Sequence, residues 1–309
     1  MEKVYDMIIV GGGPGGYTAA LYAARSGLDV LLIERLSAGG QMNLTGQIDN
    51  YPGFPEGVDG FQLSMHMQQQ AERFGAKTKY AEVLKLELER NVKSVRTDEG
   101  IYQAKTVVIS TGAGPRQLGV DREDEMIGRG VGYCAHCDGG FYRGRTVAVV
   151  GGGNSAAAEA LHLSRIAKEV ILIHRRDSLR ATQIYHKPLM EAPNIRFLWD
   201  SEVMELLGEE VLEGVRVRNL KNGEVQTLEV QGLFVSIGRK PATGLVKDQL
   251  TLDGAGYIMA GENTKTNLPG VYAVGDVRTK QLRQIVTAVA DGAMAAHGAA
   301  EYLAEEGTV

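Results

Sequence analysis

Cys134 and Cys137 are the only cysteines in the 309-residue chain; Ala135 and His136 separate them, and Asp138 follows directly. Two thiols at this spacing can close into a disulfide and reopen with little change of backbone, which is what reversible dithiol chemistry requires. The neighbouring carboxylate, Asp138, has the chemistry to give or take the proton that a sulfur exchanges. Other readings stand beside this one. Two buried, unreactive thiols would have the same spacing, and a zinc half-site would need further ligands, a four-cysteine site being impossible in one chain with two cysteines. Asp138-Gly139-Gly140 is also a turn signal in its own right.

Two glycine-rich turns bring a second kind of chemistry. Gly11-x-Gly13-x-x-Gly16 follows an apolar run and opens an alanine-rich stretch. The first glycine makes a tight turn, the second lets backbone approach a pyrophosphate, and the third allows close contact between helix and strand. Glu34 ends the next apolar run, 18 residues after Gly16, where a carboxylate accepts hydrogen bonds from both hydroxyls of an adenosine ribose. The pattern recurs at Gly151, Gly153 and Ala156, but there the following run ends in His174-Arg175-Arg176, with Arg180 one helical turn beyond Arg176. Guanidinium groups in place of the carboxylate suit a 2′-phosphate, so the second turn reads as an NADP(H) site and the acid-ended first turn suits FAD. A glycine turn without a ligand and a solvated basic strand end are the plain alternatives.

All of these matched positions lie 140 residues apart, Glu34 and His174 included. The chain therefore contains two βαβ units, with strands expected at 6–10 and 29–34, and again at 146–150 and 169–174. Apolar runs of this kind fit a parallel sheet covered on both faces. Runs at 107–112 and 233–238 each end in glycine, Gly112 or Gly238, and precede Pro115 or Pro241; they are expected to close each domain. Segments 211–217 and 225–230, joined by Asn222-Gly223, read as an antiparallel ribbon, and the charge run from Glu205 to Glu213 as a solvated loop. The chain continues to a strand at 270–276 and a helix at 284–303, which the first unit needs to complete itself. The expected fold is α/β, with two Rossmann-like dinucleotide-binding domains, the second inserted into the first. Residues 1–113 and 244–309 form the FAD-binding domain, and 114–243 form the NADPH-binding domain carrying the cysteine pair.

Composition excludes several classes of partner. Lys and Arg number 33 against 38 Asp and Glu, a net charge of −5, so no overall positive field recruits nucleic acid or anionic lipid. No run approaches the ~18 apolar residues that cross a bilayer, and the apolar run Val4 to Val10 lacks the length and cleavage pattern of a secretory signal. Two closely spaced cysteines cannot staple a secreted domain and point to cytoplasmic redox chemistry.

Taken in order, GGGPGGYTAA, GGQMN at 39–43, CAHCDG at 134–139, GGGNSAAAEA, HRRDSLRA at 174–181, VGD at 274–276 and RQIVTAVADGAMAA at 283–296 span almost the whole chain. This chain resembles the low-molecular-weight thioredoxin reductases. The resemblance implies an FAD domain interrupted by an NADPH domain, a homodimer, and reduction of thioredoxin or a thioredoxin-like disulfide protein. It implies that Gly11, Gly13, Gly16, Glu34, Gly40, Gln41, Asn50, Gly275, Asp276, Arg283, Gln284 and Ile285 hold FAD, with Pro14 and Gly112 as further cofactor-binding positions. Gly153, Asn154, Ser155, His174, Arg175, Arg176 and Arg180 are implied to hold NADPH. Cys137 would face the flavin, Cys134 would attack the protein disulfide, and Asp138 would supply a proton. Gly16 and Gly140 depart from the family, which more often has Ala and a bulky residue there. Because the cysteines and the nicotinamide site share one domain and the flavin belongs to the other, a rotation about linkers near 113 and 244 is expected. Competing readings are a flavoprotein oxidase that reduces oxygen and a non-catalytic redox sensor. The reductase of a peroxide-detoxifying system would have an added N-terminal thiol-relay domain, which is not expected here.

Overall fold

In the computed structural model, which describes residues 3–44 and 48–306, the chain leaves one unit for a second and then returns. The first unit is Met1–Gly114 with Lys240–Val309, and the second is Pro115–Arg239. β1 (Val4–Val10) opens the first unit, and its last four residues are all buried, as an apolar run without polar alternation must be. α1 (Pro14–Arg25) follows the glycine turn, with Pro14 at the start of the helix, where its missing N–H has no intrahelical partner to lose. β2 (Val30–Glu34), α2 (Gly60–Arg73), β3 (Lys77–Tyr80), β4 (Val83–Glu87), β5 (Lys93–Thr97) and β6 (Gly100–Ile109) complete this stretch. Asp59 caps α2 by accepting the N–H of Gln62 at 2.9 Å.

β7 (Ala113–Pro115) leads out of the first unit. The second unit then runs through α3 (Glu123–Met126), β8 (Val131–Gly132), α4 (Ala135–Asp138), β9 (Thr146–Val150), α5 (Asn154–Ser164) and β10 (Glu169–Ile173). It continues with α6 (Gln183–Glu191), β11 (Ile195–Leu198), β12 (Ser201–Leu207), β13 (Gly214–Asn219), β14 (Val225–Glu229) and β15 (Gly232–Val235). β16 (Arg239–Pro241) leads back and pairs with β7, and β17 (Val271–Ala273) and α7 (Ile285–Glu306) finish the first unit.

The first unit's sheet has the order β3-β2-β1-β6-β5-β4, with β17 beside the end of β6. β1, β2, β3, β6 and β17 are mutually parallel, and β4 and β5 form an antiparallel extension. The second unit's sheet has the order β11-β10-β9-β15-β8 and is parallel throughout. In both, the strand before the glycine turn lies where the strand order reverses, and such a switch point opens a crevice at the carboxyl ends of the strands. The duplication reaches the register: Val10 pairs with Ile33, and Val150 pairs with Ile173, each partner displaced by 140 residues. This is the α/β architecture of two Rossmann-like units, one inserted in the other.

Each sheet has an apolar layer on both faces. In the first unit Met7, Ile9, Leu32 and Val108 pack with the small residues of α1 and α7, while Ile8, Ile33, Leu86 and Ile258 pack on the opposite face. α1 and α7 meet almost backbone to backbone, since a β-carbon on Gly292 would lie 2.3 Å from the carbonyl oxygen of Gly15. In the second unit Val147, Val149 and Phe234 pack under α5, and Ala148, Val150 and Ile173 pack against β12, β13 and β14. The ribbon differs from expectation at its edges. Glu205 belongs to β12, where the burial of Val203 and Leu206 outweighs the local charge and Arg216 pairs with Glu205 at 2.9 Å. β13 begins only at Gly214, because Leu212 instead donates its N–H to Arg129 at 2.8 Å. No helix among the described residues is long and apolar enough to cross a membrane.

Candidate dinucleotide and dithiol sites

The first glycine turn needs its glycines for different reasons. Gly11 has φ +104°, and a β-carbon there would lie 2.4 Å from the carbonyl oxygen of Ser110. A β-carbon on Gly16 would lie 2.1 Å from the carbonyl oxygen of Gly11, so helix and strand could not approach with any larger residue. Gly13, by contrast, faces open space: a β-carbon there would touch nothing within 4 Å. Glu34 is held at this turn. Its Oε2 accepts the N–H of Gly12 at 2.7 Å, and its Oε1 accepts those of Arg35 at 2.8 Å and Leu36 at 3.2 Å.

The segment around Gly40 sits against the same turn, with the N–H of Gly39 donating to the carbonyl of Gly12 at 2.7 Å and the position of a Gly40 β-carbon 3.7 Å from the Cα of Gly13. Gln41 beside it is exposed. Asn50 donates to the side chain of Gln284 at 2.8 Å, which brings together two residues distant in sequence, and Ile285 begins α7 against the Met42–Ile48–Val58–Leu63 cluster. Gly112 accepts the N–H of Ala242 at 3.0 Å, where the chain returns to the unit. Gly275, near the start of α1, leads into a single helical turn that includes the half-buried Asp276. Arg283 lies over the ring of Tyr257 at 3.9 Å. Among the described residues three buried polar atoms of this unit, the hydroxyl of Tyr17, Oδ1 of Asn43 and Nε of Arg283, have no hydrogen-bond partner. Unpaired buried polar groups are costly, and with the open face at Gly13 they fit a polar dinucleotide such as FAD.

Sequence reasoning missed the charges behind this region. Asp291, 5% exposed, accepts from Arg278 through both oxygens at 2.6 and 2.9 Å, from Nζ of Lys280 at 2.7 Å, and from the N–H of Gly275 at 2.9 Å. Burial works against ionisation of Asp291, but hydrogen bonds from Arg278 and Lys280 outweigh it and hold the carboxyl below its usual range. The available signal was one acid within the small, apolar first half of α7, well before Glu301, Glu305 and Glu306 at its end.

In the second unit Gly151 repeats the role of Gly11: φ is +147°, and a β-carbon would lie 2.3 Å from the carbonyl oxygen of Ser236. Gly153 again faces open space. The carbonyl of Gly152 accepts the N–H groups of Arg180 at 2.7 Å and Ala181 at 3.0 Å, which fixes the basic segment to the turn. Asn154 accepts the N–H of Thr182 at 2.8 Å, and Ser155 is exposed beside it. The ring of His174 is buried at 4% exposure next to Gly152, with its Nε2 unpartnered and Trp199 edge-on at 6.3 Å. Burial, followed by the charges of Arg180, Arg176 and Arg175, lowers its pKa and keeps the imidazole neutral. Arg175, Arg176 and Arg180 are exposed, and none makes a carboxylate ion pair among the described residues. Three unengaged guanidinium groups, an unpartnered buried imidazole nitrogen and the open face at Gly153 fit a phosphorylated dinucleotide such as NADPH.

The cysteine motif opens at the end of β8. Cys134 is disulfide-bonded and stands as the N-cap of α4; the side chain of Cys137 lies outside the described residues. Asp138 donates its N–H to the carbonyl of Cys134 at 3.1 Å, and its half-buried carboxyl is pushed up in pKa by desolvation. A carboxyl so shifted is easier to keep protonated and serves better as a proton donor. Glu159, which sequence reasoning also missed, lies on α5; burial pushes its pKa up to about 7 against hydrogen bonds from Ser236 and the main chain of Ala135.

Residues 5–292 match the family model described as pyridine nucleotide-disulphide oxidoreductase. The thioredoxin reductase of Streptomyces coelicolor is 45% identical over 307 residues, covering 98% of this chain and 95% of that one. The bifunctional thioredoxin reductase/thioredoxin of Mycobacterium leprae is 43% identical over 306 residues, covering 98% of this chain and 67% of that one. The solved thioredoxin reductase of Lactococcus lactis, in its FR conformation, superposes with a TM-score of 0.83 at 43% identity over 97% of this chain and 99% of that one.

Proposed function

This chain belongs to the pyridine nucleotide-disulphide oxidoreductase family, and on that premise we propose that it is a thioredoxin-disulfide reductase passing electrons from NADPH through FAD and the Cys134/Cys137 pair to thioredoxin. One observation supports this reading above the others. The same glycine turn occurs in both units with the same register, yet the first ends its second strand in Glu34, and the second follows its strand with His174 and three guanidinium groups that make no carboxylate ion pair among the described residues. Two different dinucleotides are thereby called for, and the unit with the cationic turn also has the cysteine motif.

Bound NADPH and FAD supply two-electron transfer, which no side chain here performs. The chain's own residues bind, orient and move protons. The first turn, with Glu34, Gly40, Asn50, Asp276, Arg283 and Gln284, holds FAD, while Gly153, Asn154, Ser155 and the 174–180 segment hold NADPH. Two electrons and two protons open the Cys134–Cys137 disulfide to a dithiol, and thiol–disulfide exchange passes the same electrons to the partner's disulfide. Asp138, which follows Cys137 in the chain and has a raised pKa, stores and releases a proton for the dithiol.

Domain limits at 113 and 244, with a rotation between the domains, belong to the same reading, as do a homodimer and a cytoplasmic setting. The Mycobacterium leprae relative supports the choice of partner, since its name joins a thioredoxin reductase and a thioredoxin. Anaerobic addition of NADPH to the yellow holoprotein, followed by a thioredoxin, tests the proposal. NADPH should bleach the flavin, and thioredoxin should restore its colour only when both cysteines are present. Undiminished electron delivery by a Cys134→Ser protein refutes it, and rapid oxygen consumption without a disulfide protein favours an oxidase.

A further inference from the structure

The adjacent parallel strands β9, β15 and β8 end side by side at the carboxyl end of the second unit's sheet. β9 runs into the glycine turn and α5, β15 into Ser236, and β8 into Tyr133 and Cys134. Glu159, on α5, links the segments that follow β15 and β8. Its Oε2 accepts the hydroxyl of Ser236, and its carboxyl accepts the main-chain N–H of Ala135. Ala135 is fully buried and is the first residue of α4, whose N-cap, Cys134, provides no side-chain cap. A first-turn N–H has no partner within its own helix, and here a carboxylate from a different helix fills that role.

The internal repeat sharpens the point. The residue 140 positions earlier, Ala19, is completely buried in the apolar layer between α1 and α7. Glu159 is the only acidic residue in α5. A carboxyl group thus replaces a core methyl only in the unit with the cysteine pair, despite the cost of desolvating it.

We propose that Glu159 is a positioning residue that holds the main chain between Cys134 and Cys137 against the nucleotide-turn helix and so favours the closed disulfide. The inference rests on the reductase reading above, because it assumes that the pair cycles. The contact is seen with Cys134 disulfide-bonded, and on this proposal it is stronger in that form than in the dithiol, so that withdrawing the carboxyl favours the dithiol.

The test equilibrates the holoprotein with reduced and oxidised dithiothreitol and reads the cysteines by alkylation and mass. Each dithiothreitol closes to its cyclic disulfide and gives up two hydrogens, while the protein S–S bond breaks and both sulfurs gain hydrogen. Glu159→Gln keeps the reach and loses the charge, so its equilibrium should stay within about twofold of the wild type. Glu159→Asp keeps the charge but falls one methylene short of Ala135, so its equilibrium should move about tenfold toward the dithiol, the scale of one lost hydrogen bond to a buried main-chain N–H. Equal equilibria in all three proteins, or a Gln shift as large as the Asp shift, overturns the inference. A wild-type pair that stays oxidised at every dithiothreitol ratio overturns the reductase reading together with it.

Discussion

The imidazole of His174 occupies the space into which a β-carbon on Gly152 would project, with ring atoms 2.3–2.5 Å from that position. Gly152 does not have a positive φ, so this crowding, rather than backbone freedom, is what requires glycine. At the matching Gly12 a β-carbon would lie 3.1 Å from Tyr17 and 3.2 Å from Glu34, a gap the neighbours can open by a few tenths of an ångström. Gly152→Ala must displace a buried ring, a strain of about 1–3 kcal/mol, and is expected to weaken NADPH binding about tenfold while leaving FAD content unchanged. Titration of the holoprotein with NADPH checks this; an unchanged Kd would contradict it.

Arg176 is exposed, with its guanidinium free of carboxylate partners among the described residues. If it meets the 2′-phosphate, Arg176→Ala removes a charge-assisted contact of about 1.5–3 kcal/mol, which is a ten- to hundredfold rise in the KM for NADPH. The KM for NADH, which has a free hydroxyl there, should barely move. Steady-state kinetics with both nucleotides decide the matter, and equal rises would mean that Arg176 does not read the phosphate.

The duplicated fold was legible in the chain because its signals are local: apolar runs, glycines at fixed spacing, and a 140-residue offset that the strand register repeats. Parts that depend on tertiary placement were not. Asp291 and Glu159 sit in helical stretches where a single acid resembles an ordinary surface residue, and only the packed structure brings Arg278, Lys280 or Ala135 to them. Gly16 is a departure from the resembled family, and the structure supplies its reason, since α1 lies so near the turn that a β-carbon would reach the Gly11 carbonyl. Gln284 lies in a motif shared with the family and Asn50 was implied by the resemblance, but their mutual hydrogen bond had no signature in spacing.

Removing the charge of Asp291 should be severe. Asp291→Asn leaves Arg278 and Lys280 buried without a counter-charge and weakens the hold on Gly275, a loss of about 3–5 kcal/mol. Because the folded carboxyl is held below its ordinary value of 3.8, its stabilisation is complete above that pH and is lost as pH falls through the lower folded value. Melting and flavin release measured from neutral to acidic pH should show a lower, flatter acid limb for the Asn protein. A variant that melts and retains flavin like the wild type would mean the cluster contributes nothing.

Glu159 should impose the opposite slope. Burial raises its pKa from an ordinary 4.5 to about 7, although Ser236 and Ala135 stabilise the ionised form. The folded state therefore holds this proton more tightly than the unfolded chain, and stability falls as pH rises from 4.5 towards about 7. A shift of that size is worth at most about 3 kcal/mol. Glu159→Gln has no proton to lose, so its advantage over the wild type in melting temperature should be small near pH 5 and grow to its full value by about pH 8. Parallel wild-type and Gln curves across this range would show that Glu159 is already ionised at acidic pH, with Ser236 and Ala135 outweighing the cost of its burial.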